Sequence, residues 1–277
     1  MKQPKIWSLF LISLVLWGIL GCTPAKKDDK SNDMLNAVLW VQRAAEYKAL
    51  SLQAYNVAEK MLQQALKDKN WTAASEQQGS FQNLPPAIIL DIDETVLNNS
   101  PYQGQLIRKN ASYNSQSWSA WCNKARARAL PGAVAFCNKA HDRGVTVFYV
   151  TNRKESLKEA TRKNLREQGF PLEPGLETIL LRKDTSDKGE RRAAIARKFR
   201  ILLLLGDNAG DFFSPFTRAP QAKRDSLVTA YASNWGTKWI VLPNPMYGDW
   251  EGALYNYRYD LPKEEKQRLK LSKLIVD

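Results

Sequence analysis

Histidine is almost absent: His141 is the only one in 277 residues. Catalysis through a phosphohistidine, or through a dinuclear metal centre with several imidazole ligands, is therefore excluded. His141 itself falls inside the helical-looking stretch 132–143 and reads as a structural residue. Cysteine is scarce as well, with three. Two of them begin Cys-x5-Arg strings, Cys122 to Arg128 and Cys137 to Arg143. The spacing is that of a cysteine-based phosphate loop, but neither string has a preceding strand or the glycines such a turn needs, so both are coincidences. Cys122 and Cys137 are left either to pair in an oxidising compartment or to stay buried as thiols. Acidic residues are in deficit, 28 against 41 basic ones, for a net charge of +13. That excess favours anionic substrates, a membrane surface or nucleic acid as partners, or is a solvated basic surface. Internal repeats and low-complexity tracts are missing, and 44% hydrophobic with 25% charged residues excludes general disorder.

Long hydrophobic runs are also lacking, apart from 6–20 near the N-terminus. That run follows Lys2 and Lys5, is too short for a comfortable membrane span, and reads as the apolar part of a signal peptide over 1–21. It ends in Ile19-Leu20-Gly21-Cys22, which resembles the bacterial lipobox. Cys22 would then be lipidated and start the mature chain, with more than one acyl chain to anchor it. Thr23, rather than Asp, follows the cysteine and points to the outer membrane, and 22–32 becomes a polar tether.

The remainder, 33–277, reads as one domain. Residues 33–69 have helical composition and periodicity, and Pro85-Pro86 marks a boundary before the core. Apolar runs at 87–92, 145–150, 178–181, 201–205 and 239–242 predict strands. Helices are expected over 132–143, 154–168, 190–198 and 263–275, and 98–121 reads as a polar and aromatic insertion. Strands alternating with helices imply an α/β fold with a parallel sheet and right-handed crossovers.

In such folds the active crevice lies beyond the carboxyl ends of the strands. The first strand is followed by Asp91-Ile92-Asp93-Glu94-Thr95 and the second by Thr151-Asn152-Arg153. The fourth is followed by Gly206-Asp207-Asn208-Ala209-Gly210-Asp211. Acids directly after apolar strands are costly unless a cation or strong hydrogen bonds compensate them. Asp91 and Asp207 brought together would repel, so a divalent metal is the natural resolution, and hard carboxylate oxygens select magnesium.

Asp91-x-Asp93-x-Thr95, Thr151, a later lysine and Gly206-Asp207-x3-Asp211 resemble, in order, the four motifs of the haloacid dehalogenase superfamily. Longer strings narrow the resemblance: ILDIDETVLNNSPY over 89–102, Ala129-Leu130-Pro131-Gly132-Ala133, Thr151-Asn152-Arg153 and Tyr247-Gly248-Asp249-Trp250-Glu251. These are similar to the class C acid phosphatases, bacterial surface lipoproteins with four signature aspartates, over about 33–251. The resemblance implies a Rossmann-like core with an additional helical subdomain, acting as a magnesium-dependent acid phosphatase on small phosphomonoesters.

In that reading Asp91 is the nucleophile that forms an aspartyl phosphate. Asp93 is the acid and then the base, on the same side as Asp91 if the strand continues, and protonated at the start. Asp91, the backbone carbonyl of Asp93 and Asp207 would hold Mg2+, with Asp211 positioning the metal or its waters. Thr151 would offer a hydroxyl and Asn152 a backbone N–H to the phosphate. Lys188 matches the spacing Ser186-Asp187-Lys188 before Arg191, with Lys183 as its rival. Ala209-Gly210 departs from the bulkier residues that relatives carry in the fourth motif. Tyr102, Trp118, Trp121, Tyr247 and Trp250 are candidates for a pocket that stacks a nucleobase or aryl group, Tyr247 foremost. Expected partners are a phosphomonoester and, through Cys22, a membrane; a homodimer is implied by the family, and nucleic acid is not expected. The competing reading is a non-catalytic surface lipoprotein that binds nucleotide or another anion; for it the pair Asp91 and Asp93 has no evident use.

Overall fold

Residues 201–205 carry no polar side chain, and such a run is stable only where both faces of a strand are covered. In the computed structural model, which describes Met1 and residues 33–276, they lie in a strand buried at every position. Along the chain the strands are β1 (Pro86–Leu90), the short pair β2 (Leu97–Asn98) and β3 (Arg128–Ala129), β4 (Thr146–Lys154), β5 (Ile179–Arg182), β6 (Arg200–Gly206) and β7 (Trp239–Val241). β5, β4, β1, β6 and β7 lie side by side in that order as a parallel sheet, and β2 pairs with β3 antiparallel outside it. Successive strand residues feed opposite faces: Ile88, Leu90, Val147 and Tyr149 join one apolar cluster, Ala87, Ile89, Phe148 and Val150 the other. Each large side chain so buried contributes roughly 1.5–3 kcal/mol.

The strand order places the crevice. From β1 the chain moves outward to β4 and β5, then returns to β6 on β1's other side and continues to β7. The direction of winding therefore reverses between β1 and β6, where the connections diverge and leave an opening at the carboxyl ends. Leu90 pairs with Leu205, and the Asp91 N–H donates to the Leu205 carbonyl at 2.9 Å. Asp91 and Asp207 thus leave the sheet as neighbours.

The stretch 33–69 is two helices rather than one: α1 (Leu35–Arg43) and α2 (Ala45–Lys67). Ala44 between them is extended, with ψ 133°. The break turns α2 so that Tyr47, Ser51, Tyr55, Ala58, Leu62 and Ala65, one face at helical spacing, lie against the core. α3 (Ser100–Arg108) and α4 (Ser115–Cys122) sit between β2 and β3 and give structure to the insertion. α5 (Ala133–Asp142) and α6 (Lys158–Glu167) flank β4, and α7 (Gly189–Ala196) precedes β6. The segment expected to be helical from 154 is still strand at Lys154, then a single 3-10 turn over Glu155–Leu157. α8 (Gln221–Ala230) and α9 (Asp249–Leu254) were not expected from the sequence, and α10 (Lys263–Leu271) was. α8 buries Leu227 alone, so it has no apolar stripe to read. Among the described residues no helix is long and apolar enough to cross a membrane. The signal peptide, Cys22 and the tether lie outside the described residues.

Candidate active site

β1 ends at Leu90, and Asp91, Asp93 and Glu94 follow it directly into the site. Asp91 is 7% exposed. One carboxylate oxygen from each of Asp91, Asp207 and Asp211 can be chosen so that all lie within 4.8 Å of one another. Across from them the Lys188 ammonium contacts Asp91 and stands 2.6 Å from Asp211. Burial pushes the Asp91 carboxyl up to about 7; Lys188 opposes the shift, while Asp211 and Asp93 add to it. Burial likewise raises Asp207 well above the carboxylate range, with Asp91 and Asp211 reinforcing the effect. Three carboxyls sharing one ammonium leave an excess of negative charge that a hard divalent cation would neutralise.

The surroundings fit such an ion. Asn244 donates to Asp207 at 2.8 Å and Thr95 at 3.3 Å, while the Asn208 N–H donates to Asp211 at 3.0 Å. Gly206 is required, because a Cβ there would overlap the Asp211 carboxylate. The Tyr47 hydroxyl, buried and near enough to Glu94 and Asp207 to feel their charge, has no hydrogen-bond partner among the described residues. An unpartnered donor beside acids that oriented is suited to a hydrated cation.

Asp93 does not continue the strand beside Asp91. The chain turns at Glu94, which adopts the left-handed conformation at φ 59°, and Asp93 instead bridges to Leu97. Its side chain is outside the three-carboxyl cluster and faces Arg153, whose Nε and Nη2 donate to Oδ1 at 3.0 and 2.8 Å. Asn99 adds a bond at 2.9 Å and the Thr151 hydroxyl a longer one at 3.4 Å. The carboxyl expected to begin protonated therefore lies in an ion pair with a buried guanidinium. Left-handed backbone is disfavoured for Glu. It is held here because the Glu94 carboxyl accepts from the Asn99 N–H at 2.6 Å and from the Tyr247 hydroxyl. Burial raises the Glu94 pKa well above the usual range, with Asp93 and Asp207 adding to it.

Thr151, Asn152 and Arg153 lie within β4 rather than after it. Thr151 is buried with its hydroxyl beside Asp93, and Asn152 is exposed. Arg191 ties this segment to the lysine loop, donating to the Thr151 carbonyl at 2.6 Å, to Asn152 Oδ1 at 2.9 Å and to the Asp187 carbonyl at 3.0 Å. Between the two candidate lysines, Lys188 reaches the aspartates, whereas Lys183 lies at the end of β5 beside Lys154 and Arg182. Behind the fourth motif, buried Arg192 donates to the carbonyls of Gly210 and Asp211 at 3.2 and 2.9 Å and pairs with Glu76 at 2.7 Å. That clamp supplies the rigidity that Ala209-Gly210 lacks.

The aromatic candidates separate by burial. Trp118 lies over the Arg153 guanidinium, 5.7 Å from its ring centre, and Tyr113 is 6.4 Å from Trp118. Tyr102, expected to line a pocket, is instead 2% exposed: it packs edge-on behind Trp118 at 5.1 Å and bonds Ser117 at 2.9 Å. Trp121 is also core, its indole N–H spent on Asn99 at 2.8 Å. Tyr247 is half-buried above Glu94 and Trp250 is exposed. Cys122 and Cys137 are buried free thiols, with burial pushing Cys122 up to about 12. His141 lies in the last turn of α5, ahead of β4, and its Nε2 is 3.3 Å from Glu173. Sequence reasoning missed Tyr47, Glu76, Asn99, Asn244 and the pairing of Arg153. Of these only Arg153 carried a signal, an arginine just after the apolar run 145–150.

Comparison with known proteins gives one answer. A family model described as HAD superfamily, subfamily IIIB (acid phosphatase), matches residues 21–250. The class C acid phosphatase from Bacillus anthracis superposes with a TM-score of 0.80 and 38% identity, covering 88% of this chain and 97% of that one. The structure of that enzyme with tungstate bound gives 0.78 and 37%, with the same coverage. Acid phosphatase 1 of Solanum lycopersicum is 28% identical over 57% of this chain, and the class B acid phosphatase of Rahnella sp. (strain Y9602) is 25% identical over 69%. The match spans 57% of the tomato protein's own length and 81% of the Rahnella one. With a five-stranded parallel sheet flanked by helices and acids gathered where its winding reverses, the chain belongs to the HAD superfamily, subfamily IIIB, the acid phosphatases.

Proposed function

We propose that this chain is an exported, lipid-anchored, magnesium-dependent phosphomonoesterase that works through a phosphorylated Asp91. The observation that carries the reading is the arrangement of Asp91: buried, within 4.8 Å of Asp207 and Asp211 at the carboxylate oxygens, opposite Lys188 and next to Asp93. Asp91 Oδ attacks phosphorus as the ester P–O bond breaks, and Asp93, ion-paired with Arg153 before substrate arrives, takes up a proton with the substrate and gives it to the leaving oxygen. Water then attacks the aspartyl phosphate, passes a proton to Asp93 and releases inorganic phosphate, which restores both carboxyls. Lys188 and the Thr151 hydroxyl face the equatorial oxygens, where charge-directed donors are worth the most. Asp91, Asp207 and Asp211, with the Asp93 carbonyl, would hold Mg2+, which when bound neutralises charge on the transferring group. Arg153 and Asn99 fix Asp93, and Arg192 fixes the Asp211 loop. Trp118, over Arg153, and Tyr247, bonded to Glu94, are the aromatic residues suited to a nucleobase or an aryl group. Cys22 would place the enzyme at the outer membrane.

The test is hydrolysis of an aryl phosphate and a nucleoside 5′-monophosphate with magnesium, with chelator, and with magnesium restored. Activity indifferent to chelator, or retained at the wild-type rate in Asp91→Asn, would remove the reading.

A further inference from the structure

Lys183, left over once Lys188 takes the place beside Asp91, belongs to a second group of cations one strand away. Lys154 ends β4 and stands in register with Arg182 at the end of β5. Lys183 and Asp184 follow, and with Glu155 and Ser156 these residues line an open cavity of about 580 Å³. Among the described residues none of Lys154, Arg182 and Lys183 has an acidic partner within ion-pair distance, whereas Glu155 is 3.8 Å from Lys158. Three unpaired cations against one unpaired acid, Asp184, make the cavity locally positive.

Its position relates it to the reacting centre. Asn152 and Lys154 alternate with buried Thr151 and Arg153 on β4, so both present their side chains to solvent on one face. Three steps along β4 lead from Thr151 to Lys154, at most roughly 10 Å, since the register with β5 is irregular there. Tyr113 spans the interval: it is near enough to both Arg182 and Asp93 to feel their charge, and its ring packs near Trp118. A substrate with its reacting phosphate at Asp91 and its body along Trp118 and Tyr113 carries its far end to Lys154, Arg182 and Lys183.

We propose that this cavity is a subsite for a second phosphate, so that the preferred substrates are small bisphosphorylated esters, from which the group at Asp91 is removed. The proposal rests on the hydrolase reading above and adds a substrate class to it. Binding there is uniform between ground and transition state, so its signature is in KM rather than kcat.

The full chain is assayed with p-nitrophenyl phosphate, a nucleoside 5′-monophosphate, the matching 3′,5′-bisphosphate and a sugar bisphosphate, alongside Lys154→Met/Lys183→Met. Exposed cations each contribute modestly, so kcat/KM for at least one bisphosphate should exceed that for its monophosphate by about tenfold, a free-energy difference of about 1.4 kcal/mol. The double variant should lose that advantage through KM, with p-nitrophenyl phosphate turned over as before. Which bisphosphate shows the larger loss decides between a nucleoside and a plain sugar as the carrier. Equal kcat/KM for mono- and bisphosphates, or equal losses on all substrates in the variant, would overturn the subsite. If p-nitrophenyl phosphate is not hydrolysed at all, the hydrolase reading fails separately. Calorimetric titration of the bisphosphates into wild type and double variant then decides the subsite: tighter binding to wild type keeps it, and equal binding ends it.

Discussion

The two carboxyl groups at the heart of the site are only two residues apart, yet they are neutralised in opposite ways. Asp93 has its countercharge built in: the Arg153 guanidinium holds it, Trp118 covers the guanidinium, and Asn99 completes the set. Asp91 sits with two more acids and a single ammonium. A fixed arginine suits the acid–base role proposed for Asp93, which needs the carboxyl kept in one position. The three-acid side suits a cation taken from solution, because its charge is left incomplete by the chain. One half of the site has its charge balanced by folding; the other half would be balanced by a bound cation.

The comparison breaks first if Asp91 is dispensable. Asp91→Asn should lower kcat by at least about 10⁴-fold, since both covalent steps need that oxygen, measured on an aryl phosphate with magnesium present. Next, Arg153→Met should slow hydrolysis of nucleoside monophosphates by about 10²-fold and of a dinitrophenyl phosphate much less, because only the poorer leaving group needs a well-placed proton. Equal losses on both would mean that Arg153 serves folding alone.

A sharper contrast comes from stability and pH. Asp91, with its pKa raised to about 7, and Asp207 and Glu94, also raised, bind more protons folded than unfolded above the unfolded carboxyl range near 4. Metal-free protein should thus lose stability as pH climbs from 5 to 7. Magnesium fixed at a hundred times its Kd at pH 7 should restore about 2.7 kcal/mol there, and less at pH 5, where protons compete for the carboxyls, read as Tm with and without the ion. A Tm that rises with pH in chelator would contradict the unfinished side. The smallest effect is expected at Tyr247→Phe, which removes the hydroxyl from Glu94 and should cost about 1 kcal/mol of stability, with magnesium affinity unchanged, measured by denaturant melts and metal titration.

Much of this was legible from residues alone. The strands announced themselves as runs without polar side chains, and Asp91 and Asp207 stood just past their ends, whereas β4 runs on through Thr151 to Lys154. What could not be read was pairing across long separations. Arg153 finds Asp93 sixty positions away and Arg192 finds Glu76 at 116, and both depend on strand register and loop paths that no local pattern encodes. Tyr102 and Trp118 are alike as aromatic residues of the insertion, and only packing sends one to the core and leaves the other over Arg153. Ala44 is an alanine, the strongest helix former, at a helix break. The tertiary demand that α2 lie on the sheet overrides its propensity.

That helix also alters how the chain can be divided. Pro85-Pro86 looks like a place to cut, with everything after it able to stand alone. Yet the Tyr55 hydroxyl donates to the Thr95 carbonyl at 2.6 Å, Ser51 caps the Pro131 carbonyl at 2.8 Å, and the Trp71 indole N–H reaches the Leu202 carbonyl at 2.8 Å. The segment ahead of the prolines is thus a back wall for the catalytic loop. Trimming to the sheet-bearing portion would strip away partners for three backbone carbonyls and leave the turn bearing Thr95 unbraced.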